Sequence, residues 1–370
     1  MKKRDTVLTV IFFMIFMGLP LISMGKKYLN LTPKDDSAAQ LAVLEGNGTL
    51  ANTTKTEEAN DKANEEVVEL PKIIQFRNSL SRFANNIVFT DQFVKANCEL
   101  SYAISGGTYL ESNSVVVGEE NFLFYKATTD GDPIADYKGT NLFTDEELVE
   151  IGTNLLNIRD ELSLRGIDFY VLAIPNKEQV YDRYMPVTIY RDSAYSRGMQ
   201  LRDFICANSD IEFIYPLDEL KQLSTYEQAY YYADTHETEI GAFIVYGQLC
   251  TRRYGSAQDL STAGFRIALQ YYTGDLGLIA NVSALEKLDT ITAFYQTDEK
   301  AYRKHERILF IGDSFTGYLS NIATYDFDNV KRVSPDEFTM ELLDEYRPHV
   351  VVFESAERRL SVLGQDLLSQ

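Results

Sequence analysis

An apolar run that ends in Gly-Asp-Ser, within Arg307–Phe315, limits the folds that this chain can adopt. An apolar run of this length, closed by Gly312 and Asp313, predicts a buried strand that ends in a tight turn. Ser314 would then lie at the carboxyl end of a sheet, where open α/β sheets bind ligands. Backbone N–H groups of such a turn, Gly312 included, can point at a developing negative charge. Ser314 is therefore a candidate nucleophile, unless Asp313 and Ser314 simply cap a helix.

A serine hydroxyl needs a base to take its proton, and the chain contains three histidines. His305 and His349 precede apolar segments, so we expect them away from the carboxyl end of the sheet. His236 follows Asp234 by two residues. In an extended or turn segment this spacing places the carboxylate beside the imidazole, which it can then orient. The alternative is that this segment caps a helix starting near Glu237 and that His236 is an exposed first-turn residue.

These two motifs together resemble a known family. Asp-Thr-His followed by Gly-Ala, and a later Gly-Asp-Ser-Phe, are similar to the alginate O-acetyltransferase AlgJ/AlgX family of SGNH-hydrolase-like proteins and to the related DHHW proteins of Gram-positive bacteria. Further segments resemble the family's motifs in the family's order, over residues 76–367. They are the hairpin-like Val115–Tyr125, the segment Ile174–Lys177 with Val180-Tyr181 and Met185-Pro186, the Gly-Asp-Leu of Thr273–Leu276, and Val351–Glu354 with Glu357-Arg358.

The sequence departs from the family at several positions. Glu237 stands where the family usually has tryptophan after the histidine, and Asn121 and Phe122 replace a usual glycine and tryptophan. A carboxylate beside the base can raise the pKa of the histidine or repel an anionic ligand. We therefore expect Glu237 to affect acceptor specificity more than the triad.

Helical and strand-like segments alternate along the chain, which predicts a mainly parallel sheet covered by helices. The clearest helix is Thr144 to Arg165, which begins with a Thr-x-x-Glu capping box, and the strand Asp168–Ile174 follows it. The family resemblance implies a three-layer α/β/α SGNH-hydrolase-like fold. Because the order Asp–His–Ser reverses the usual order in such hydrolases, it also implies circular permutation.

Several further residues are candidates for substrate binding. Asn176 and Lys177 follow a predicted strand, so Asn176 can donate to an oxyanion and Lys177 can anchor substrate, unless both only shape a turn. Residues 251–306 have a less regular pattern, and Tyr272 within them is a possible lining residue. Arg358 is a further candidate because the resemblance places it in the family's terminal Glu-x-x-x-Arg motif.

Residues 1–27 have the pattern of a targeting segment. Basic residues flank an apolar run from Val7 to Met24, which as a helix would span about 27 Å, close to a bilayer core. We expect an uncleaved anchor with its positive end in the cytoplasm, and the alternative is cleavage near Ser23–Gly25. Residues 28–72 are polar, as is typical of a disordered linker. Residues 73–370 then form the catalytic domain, outside the cytoplasm.

Charge and cysteine content exclude some classes of function. The net charge of −20 and the absence of a Lys/Arg cluster beyond short flanks argue against nucleic-acid binding. The cysteines Cys98, Cys206 and Cys250 have no metal-ligand spacing, so we expect small, buried apolar side chains. Because the sequence contains no metal cluster, phosphate-binding glycine loop or dinucleotide fingerprint, we expect neither metal nor cofactor.

The resemblance implies an O-acetyltransferase of the cell envelope. His236, oriented by Asp234, would activate Ser314, and the resulting acyl-serine would pass its acetyl group to a hydroxyl of an exported polysaccharide or other envelope glycan. A polytopic membrane O-acyltransferase is the expected acetyl supplier. Two alternatives stay open: a carbohydrate esterase with the same triad, and a catalytically silent glycan-binding or scaffold protein of polysaccharide assembly.

Overall fold

The computed structural model describes residues 90–256, 265–286, 289–296 and 304–369, without the side chains of 90, 265–272, 290–296 and 369. The chain divides into two compact units, Met1–Val94 and Lys95–Gln370, and the description below concerns the second. The predicted targeting segment 1–27 and linker 28–72 lie outside the described residues. Within the described ranges, no helix combines the length and apolar character needed to cross a bilayer.

A five-stranded parallel sheet lies at the centre of the second unit. From one edge to the other, its strands are β4 (Glu212–Ile214), β3 (Asp168–Ile174), β9 (Val350–Ala356), β7 (Lys304–Ile311) and β8 (Phe327–Val333). Its longest pairing joins β3 to β9, from Asp168 opposite Val350 to Ile174 opposite Ala356. The predicted strands at Asp168–Ile174 and before Gly312 are thereby confirmed.

If the strands are numbered cyclically, from β7 through β8 and β9 and then β3 and β4, their order from the β8 edge is 2-1-3-4-5. This is the order of flavodoxin-type sheets. The chain leaves β7 in one direction to reach β8 and then crosses back over β7 to reach β9. Ligands bind outside the carboxyl ends of the strands at such a reversal. The carboxyl end of β7, which leads into Ser314, is therefore the expected location of a site.

Helices cover both faces of this sheet. Helix α9 (Thr316–Ala323) connects β7 to β8, and helix α10 (Met340–Tyr346) connects β8 back across β7 to β9. Because crossovers between parallel strands are right-handed and these two run in opposite directions along the sheet, the two helices lie on opposite faces. Helix α7 packs against α9, whereas an ion pair from Arg165 at the end of α3 to Asp344 joins α3 to α10. The helices are α1 (Thr90–Ile104), α2 (Pro133–Lys138), α3 (Asp145–Leu164), α4 (Lys177–Val180), α5 (Arg197–Asn208), α6 (Leu217–Leu223), α7 (Glu239–Tyr254), α8 (Asp275–Ile279), α9 (Thr316–Ala323) and α10 (Met340–Tyr346), with 3-10 turns at Glu119–Asn121, Asp182–Tyr184, Pro335–Glu337, Glu357–Gly364 and Leu367–Ser369.

Two antiparallel pairs lie outside the main sheet. The pair of β1 (Val115–Val117) and β2 (Leu123–Tyr125) confirms the predicted hairpin. The pair of β5 (Phe265–Tyr272) and β6 (Asp289–Gln296) corrects the prediction that residues 251–306 are irregular. Alternating apolar residues in Phe265–Tyr272 were the available signal, since alternation is typical of a strand.

Burial and capping agree with most of the sequence pattern. Helix α3 begins at the predicted capping box, in which Thr144 and Glu147 bond each other's backbone N–H. Every residue of β9 is buried, as expected of a central parallel strand. The three cysteines are free thiols, but Cys206 is exposed, which corrects the expectation that all three are buried.

Candidate active site

The turn after β7 presents Ser314 at the carboxyl end of the sheet. The carboxylate of Asp313 accepts hydrogen bonds from the N–H groups of Phe315 at 3.0 Å and Ala356 at 3.1 Å, and so joins the turn to the end of β9. The Asp313 N–H donates to Oε2 of buried Glu354 at 3.1 Å. A Cβ at Gly312 would collide with that carboxylate, which explains glycine at this position.

Three predicted residues form a hydrogen-bonded series. Nε2 of His236 lies 2.8 Å from the Ser314 hydroxyl oxygen, and Nδ1 lies 2.7 Å from Oδ1 of Asp234. The carboxylate favours the proton on Nδ1, which leaves Nε2 free to accept the serine proton. Thr238 caps helix α7 through Gly241, so the capping interpretation of Asp234 is wrong.

Electrostatics favour a charged carboxylate and a basic imidazole. Burial raises the pKa of Asp234, but hydrogen bonds and the charge of His236 outweigh it and lower this pKa to about 2. Burial lowers the pKa of His236, but Asp234 and then Asp275 outweigh it, so the net shift is upward. The imidazolium formed when His236 takes a proton is thereby stabilised.

Asp275 has a positioning role that sequence analysis missed, although its Gly-Asp-Leu motif was visible. Its N–H donates to Oδ2 of Asp234 at 2.9 Å. Its carboxylate accepts from the N–H and hydroxyl of Thr235, at 2.8 and 2.5 Å. A Cβ at Gly274 would collide with the Ala233 carbonyl. This motif therefore fixes Asp234 and Thr235, the first two residues of the Asp234–His236 segment.

Lys177 is buried, and its side chain hydrogen-bonds backbone carbonyls of strand β2 and of the loop that carries Asp234. Its ammonium donates to the carbonyls of Leu123 at 2.6 Å, Tyr232 at 2.8 Å and Asp234 at 3.1 Å. Burial lowers its pKa to about 8. Because all three donors of an ammonium are then used, the prediction that Lys177 anchors substrate is corrected: it anchors the loop that carries Asp234.

Asn176 also makes hydrogen bonds to other parts of the protein. Its side-chain N–H donates to Asp136 at 2.9 Å, and its side-chain oxygen accepts from the Arg358 N–H at 3.0 Å. Its backbone N–H donates to buried Glu357 at 2.9 Å. The contacts support the alternative, in which Asn176 shapes the turn after β3, and they use one of the two N–H bonds of its side-chain amide.

The turn itself offers one donor. The Gly312 N–H bonds the Val333 carbonyl at 3.0 Å within the sheet, so Gly312 does not serve as the predicted oxyanion donor. By contrast, the Ser314 N–H donates to no group within the described part of the chain. It is the donor of the turn that remains available to an oxyanion.

Two candidates remain: Arg358 borders the site, and the side chain of Tyr272 is outside the described set. The guanidinium of Arg358 lies 5.5 Å from the ring of Phe315, and that ring packs 4.5 Å from the ring of His236. Nε of Arg358 donates to Asp130 at 3.3 Å. Tyr272 ends strand β5, and its side chain is outside the described set.

Glu237 does not face the ligand side. It is fully buried, and neither of its carboxylate oxygens has a hydrogen-bond partner within the described part of the chain. Burial raises its pKa to about 8. A carboxyl that is buried and has a raised pKa does not present its charge to a ligand, which corrects the expectation that Glu237 repels an anionic ligand.

One group of ligand-type side chains has the closeness required for a metal. Ligand atoms of Asp234, His236 and Asp275 lie within 4.8 Å of one another. Both ring nitrogens of His236 already face protein partners, Asp234 and Ser314. A cation at this group would compete with those bonds, so the arrangement suits proton transfer.

No protein-family model and no curated protein matches the sequence. Solved structures do match. Bacillus cereus PatB1 with a sulfonyl adduct matches with a TM-score of 0.50 and 11% identity, over 67% of this chain and 97% of that chain. The O-acetyltransferase domain of Pseudomonas putida AlgJ has a TM-score of 0.46 and 19% identity, over 67% and 92%. A DHHW family protein from Eubacterium siraeum has 0.49 and 11%, over 69% and 96%.

The fold is similar to that of PatB1. The resemblance read from the motifs is thereby confirmed at the level of the fold, and PatB1 has the highest TM-score of these three. At identities of 11 to 19%, a shared fold is what these matches establish. The chemistry of this chain therefore depends on its own residues.

Proposed function

We propose that this chain is an O-acetyltransferase, built on a circularly permuted SGNH-type fold, that transfers acetyl groups to hydroxyls of an exported or cell-surface polysaccharide. The observation that carries the proposal is the series from Asp234 through His236 to Ser314 at the carboxyl end of β7. That AlgJ supplies an O-acetyltransferase domain on a similar fold supports it.

The first half-reaction acylates the serine. Nε2 of His236 takes the proton of Ser314 as its oxygen attacks the acetyl carbonyl. The Ser314 N–H holds the oxyanion, a type of donor worth about 3 kcal/mol in such reactions. When the tetrahedral intermediate collapses, the carbonyl–donor bond breaks and the leaving group takes the proton from His236.

The second half-reaction transfers the acetyl group. A sugar hydroxyl attacks the acyl-serine while His236 takes the hydroxyl proton, which it then returns to the oxygen of Ser314. Asp234 stays ionised throughout because its pKa is about 2. Asp275 and Lys177 position Asp234 and do not meet the reacting atoms.

The esterase is the second candidate, because the same groups hydrolyse the acyl-serine when water replaces the sugar hydroxyl. The exposed 22% of the His236 side chain gives water a route to the base. The silent scaffold remains the third candidate, and its main argument is that Glu237, a buried residue, replaces the tryptophan usual in the family.

The proposal includes a cellular setting. Residues 1–27 would anchor the chain so that the catalytic domain lies outside the cytoplasm, or would be removed if cleaved. A polytopic membrane O-acyltransferase would deliver the acetyl group. These parts rest on the sequence pattern and the family resemblance.

The test compares the full-length chain with Ser314→Ala, using a chromogenic acetyl ester with and without glycan oligosaccharides. We expect one acetyl group on the wild-type chain by intact mass, none on Ser314→Ala, and faster release with sugar than with water. Ser320→Ala is the matched control, because that hydroxyl bonds only the Gly317 carbonyl among described groups. Release to water alone would establish the esterase, and no adduct on any chain would refute the acyl-serine.

A further inference from the structure

The turn that carries Ser314 contains one backbone N–H that makes no bond to the described part of the chain. The four N–H groups around it each donate to a protein acceptor, and they belong to Gly312, Asp313, Phe315 and Thr316. The Ser314 N–H is the exception, and it is the donor assigned to the oxyanion. Since no protein bond of its own fixes its direction, that direction depends on the groups around it.

Thr316 holds the peptide group to which this N–H belongs. The Ser314 N–H and the Asp313 carbonyl share one rigid peptide plane, in which they point in opposite directions. The carbonyl accepts from the Thr316 N–H at 3.2 Å and from the Thr316 hydroxyl at 2.7 Å. A planar peptide that is held by its carbonyl does not rotate its N–H freely, so Thr316 helps to set the direction of the oxyanion donor.

Glu354 of β9 holds the preceding peptide group. Its Oε2 accepts from the Asp313 N–H at 3.1 Å, and its side chain is fully buried. The Asp313 carboxylate returns a bond to β9, because it accepts from the Ala356 N–H at 3.1 Å. These two bonds run in opposite directions between the same two segments. Together they fix both the position and the rotation of the Asp313 backbone.

The environment of Glu354 favours the protonated acid. Burial comes first among the causes that raise its pKa well above 4.5, and the charges of Asp313 and Glu237 come next. A hydrogen bond between the carboxyls of Glu354 and Asp313 adds to the rise. That bond requires a proton on one of the two groups. A glutamine could replace the acid here, since its amide has both an oxygen that accepts and an N–H that donates.

We propose that Glu354 and Thr316 are positioning residues that aim the Ser314 N–H at the oxyanion. Both side chains are buried, at 0% and 2% exposure, so they act through the backbone of the turn and do not meet the reacting atoms. An oxyanion donor is effective because it is held in place before the charge develops. The inference deepens the proposed function and rests on it for the oxyanion.

The test measures how fast a fluorophosphonate labels Ser314 of the full-length chain, followed by intact mass. In this reaction the serine oxygen bonds phosphorus, fluoride leaves, and His236 takes the proton. Thr316→Val removes the hydroxyl and keeps the shape, and Glu354→Leu removes the acceptor. We expect each change to lower the maximal labelling rate about ten- to hundred-fold, since a misdirected donor should cost less than the loss of a donor. The probe concentration that gives half the maximal rate should change little.

Conservative variants and a control separate positioning from general damage. Thr316→Ser and Glu354→Gln keep the bonds, so they should label nearly as fast as the wild-type chain. Ser320→Ala is the matched control, because that hydroxyl makes the same type of bond one turn later in α9, to the Gly317 carbonyl at 2.9 Å. A thermal melting curve of each variant checks its folding, and Thr316→Val decides the question if Glu354→Leu does not fold.

The possible results separate the two proposals. Unchanged maximal rates in Thr316→Val and Glu354→Leu would overturn the positioning roles, and so would losses that the serine and glutamine variants share. A change confined to the half-maximal probe concentration would also overturn them, because it would mean that these residues shape the cleft. If wild-type Ser314 is labelled but never acetylated, the transferase fails and the labelling rates still decide this inference. If Ser314 resists labelling altogether, both proposals fail.

Discussion

Glu237 directly follows the candidate base, at the position where the AlgJ/AlgX family usually has tryptophan. Both oxygens of its carboxyl lack partners within the described part of the chain, and one oxygen of Glu354 does too. Burial comes first among the causes that raise the pKa of each carboxyl. An unsatisfied buried polar group costs roughly 1 to 3 kcal/mol of stability. The carboxyls of Glu237 and Glu354 therefore destabilise the region behind the turn that carries Ser314.

We expect Glu237→Gln to stabilise the protein, and more so as the pH rises. The pKa of Glu237 is raised to about 8 in the folded state from an ordinary value of 4.5. Stability from the neutral carboxyl is therefore present below pH 4.5 and is lost as pH rises through 8. The gain in unfolding free energy should be about 2 to 4 kcal/mol larger at pH 8 than at pH 5. Urea unfolding at both values measures it, and an equal gain would contradict the assignment.

At the scale of elements, Lys177 joins three segments that are distant in sequence. Its ammonium bonds β2 through Leu123 and the loop of His236 through Tyr232 and Asp234. Asp289 supports the same loop, since its carboxylate accepts from the N–H groups of Tyr232 and Ala233. The triad geometry therefore depends on side chain to backbone bonds more than on regular secondary structure.

Replacing Lys177 by methionine should destabilise the protein by about 3 kcal/mol, because three buried carbonyls lose their donor. The same change at Lys221, a half-exposed lysine paired with Asp182 at 2.7 Å, should cost less than about 1 kcal/mol. Chemical denaturation of the two variants provides the comparison. Similar losses would show that the carbonyls find other partners and that Lys177 is not the anchor.

At the scale of the whole molecule, acidic groups act in two opposite ways. Burial raises the pKa of Glu237, Glu354 and Glu357, whereas the pKa of Asp234 is lowered to about 2. The first set contributes stability that is lost as the pH rises. The second contribution is lost as the pH falls from about 4 through 2. Self-repulsion from a charge of −20 adds to the loss at high pH.

The free energy of unfolding should therefore be greatest near pH 5 and should fall toward pH 9, by about 3 kcal/mol or more. Activity should fall as the pH is lowered below neutrality, whereas stability rises. A general base must be unprotonated, and the pKa of His236 is raised. Urea midpoints measured between pH 4 and 9 test the first statement, with Glu237→Gln as the variant whose profile should be flatter. A stability that rises from pH 5 to 8 would mean that these carboxyls are ionised.

Local sequence patterns were sufficient for several elements. The capping box of Thr144 defined the start of α3, and the apolar run before Gly312 defined β7. Strand β8 (Phe327–Val333) went unrecognised because only its first residue is buried. An edge strand of this kind is specified by pairing with β7 and not by its own apolar pattern.

Local sequence was enough to predict which residue types can perform the proposed chemistry and at which end of the sheet they lie. The spacing of Asp234 and His236 and the Gly-Asp-Ser turn are local, so they can be read without coordinates. By contrast, the support that Asn176 and Lys177 give to the backbone, and the positioning of Asp234 by Asp275, became visible only in the folded chain. Those roles depend on which distant carbonyls and carboxylates lie within hydrogen-bond reach. A polar side chain satisfied by such long-range partners has the same local sequence as one left free to bind substrate.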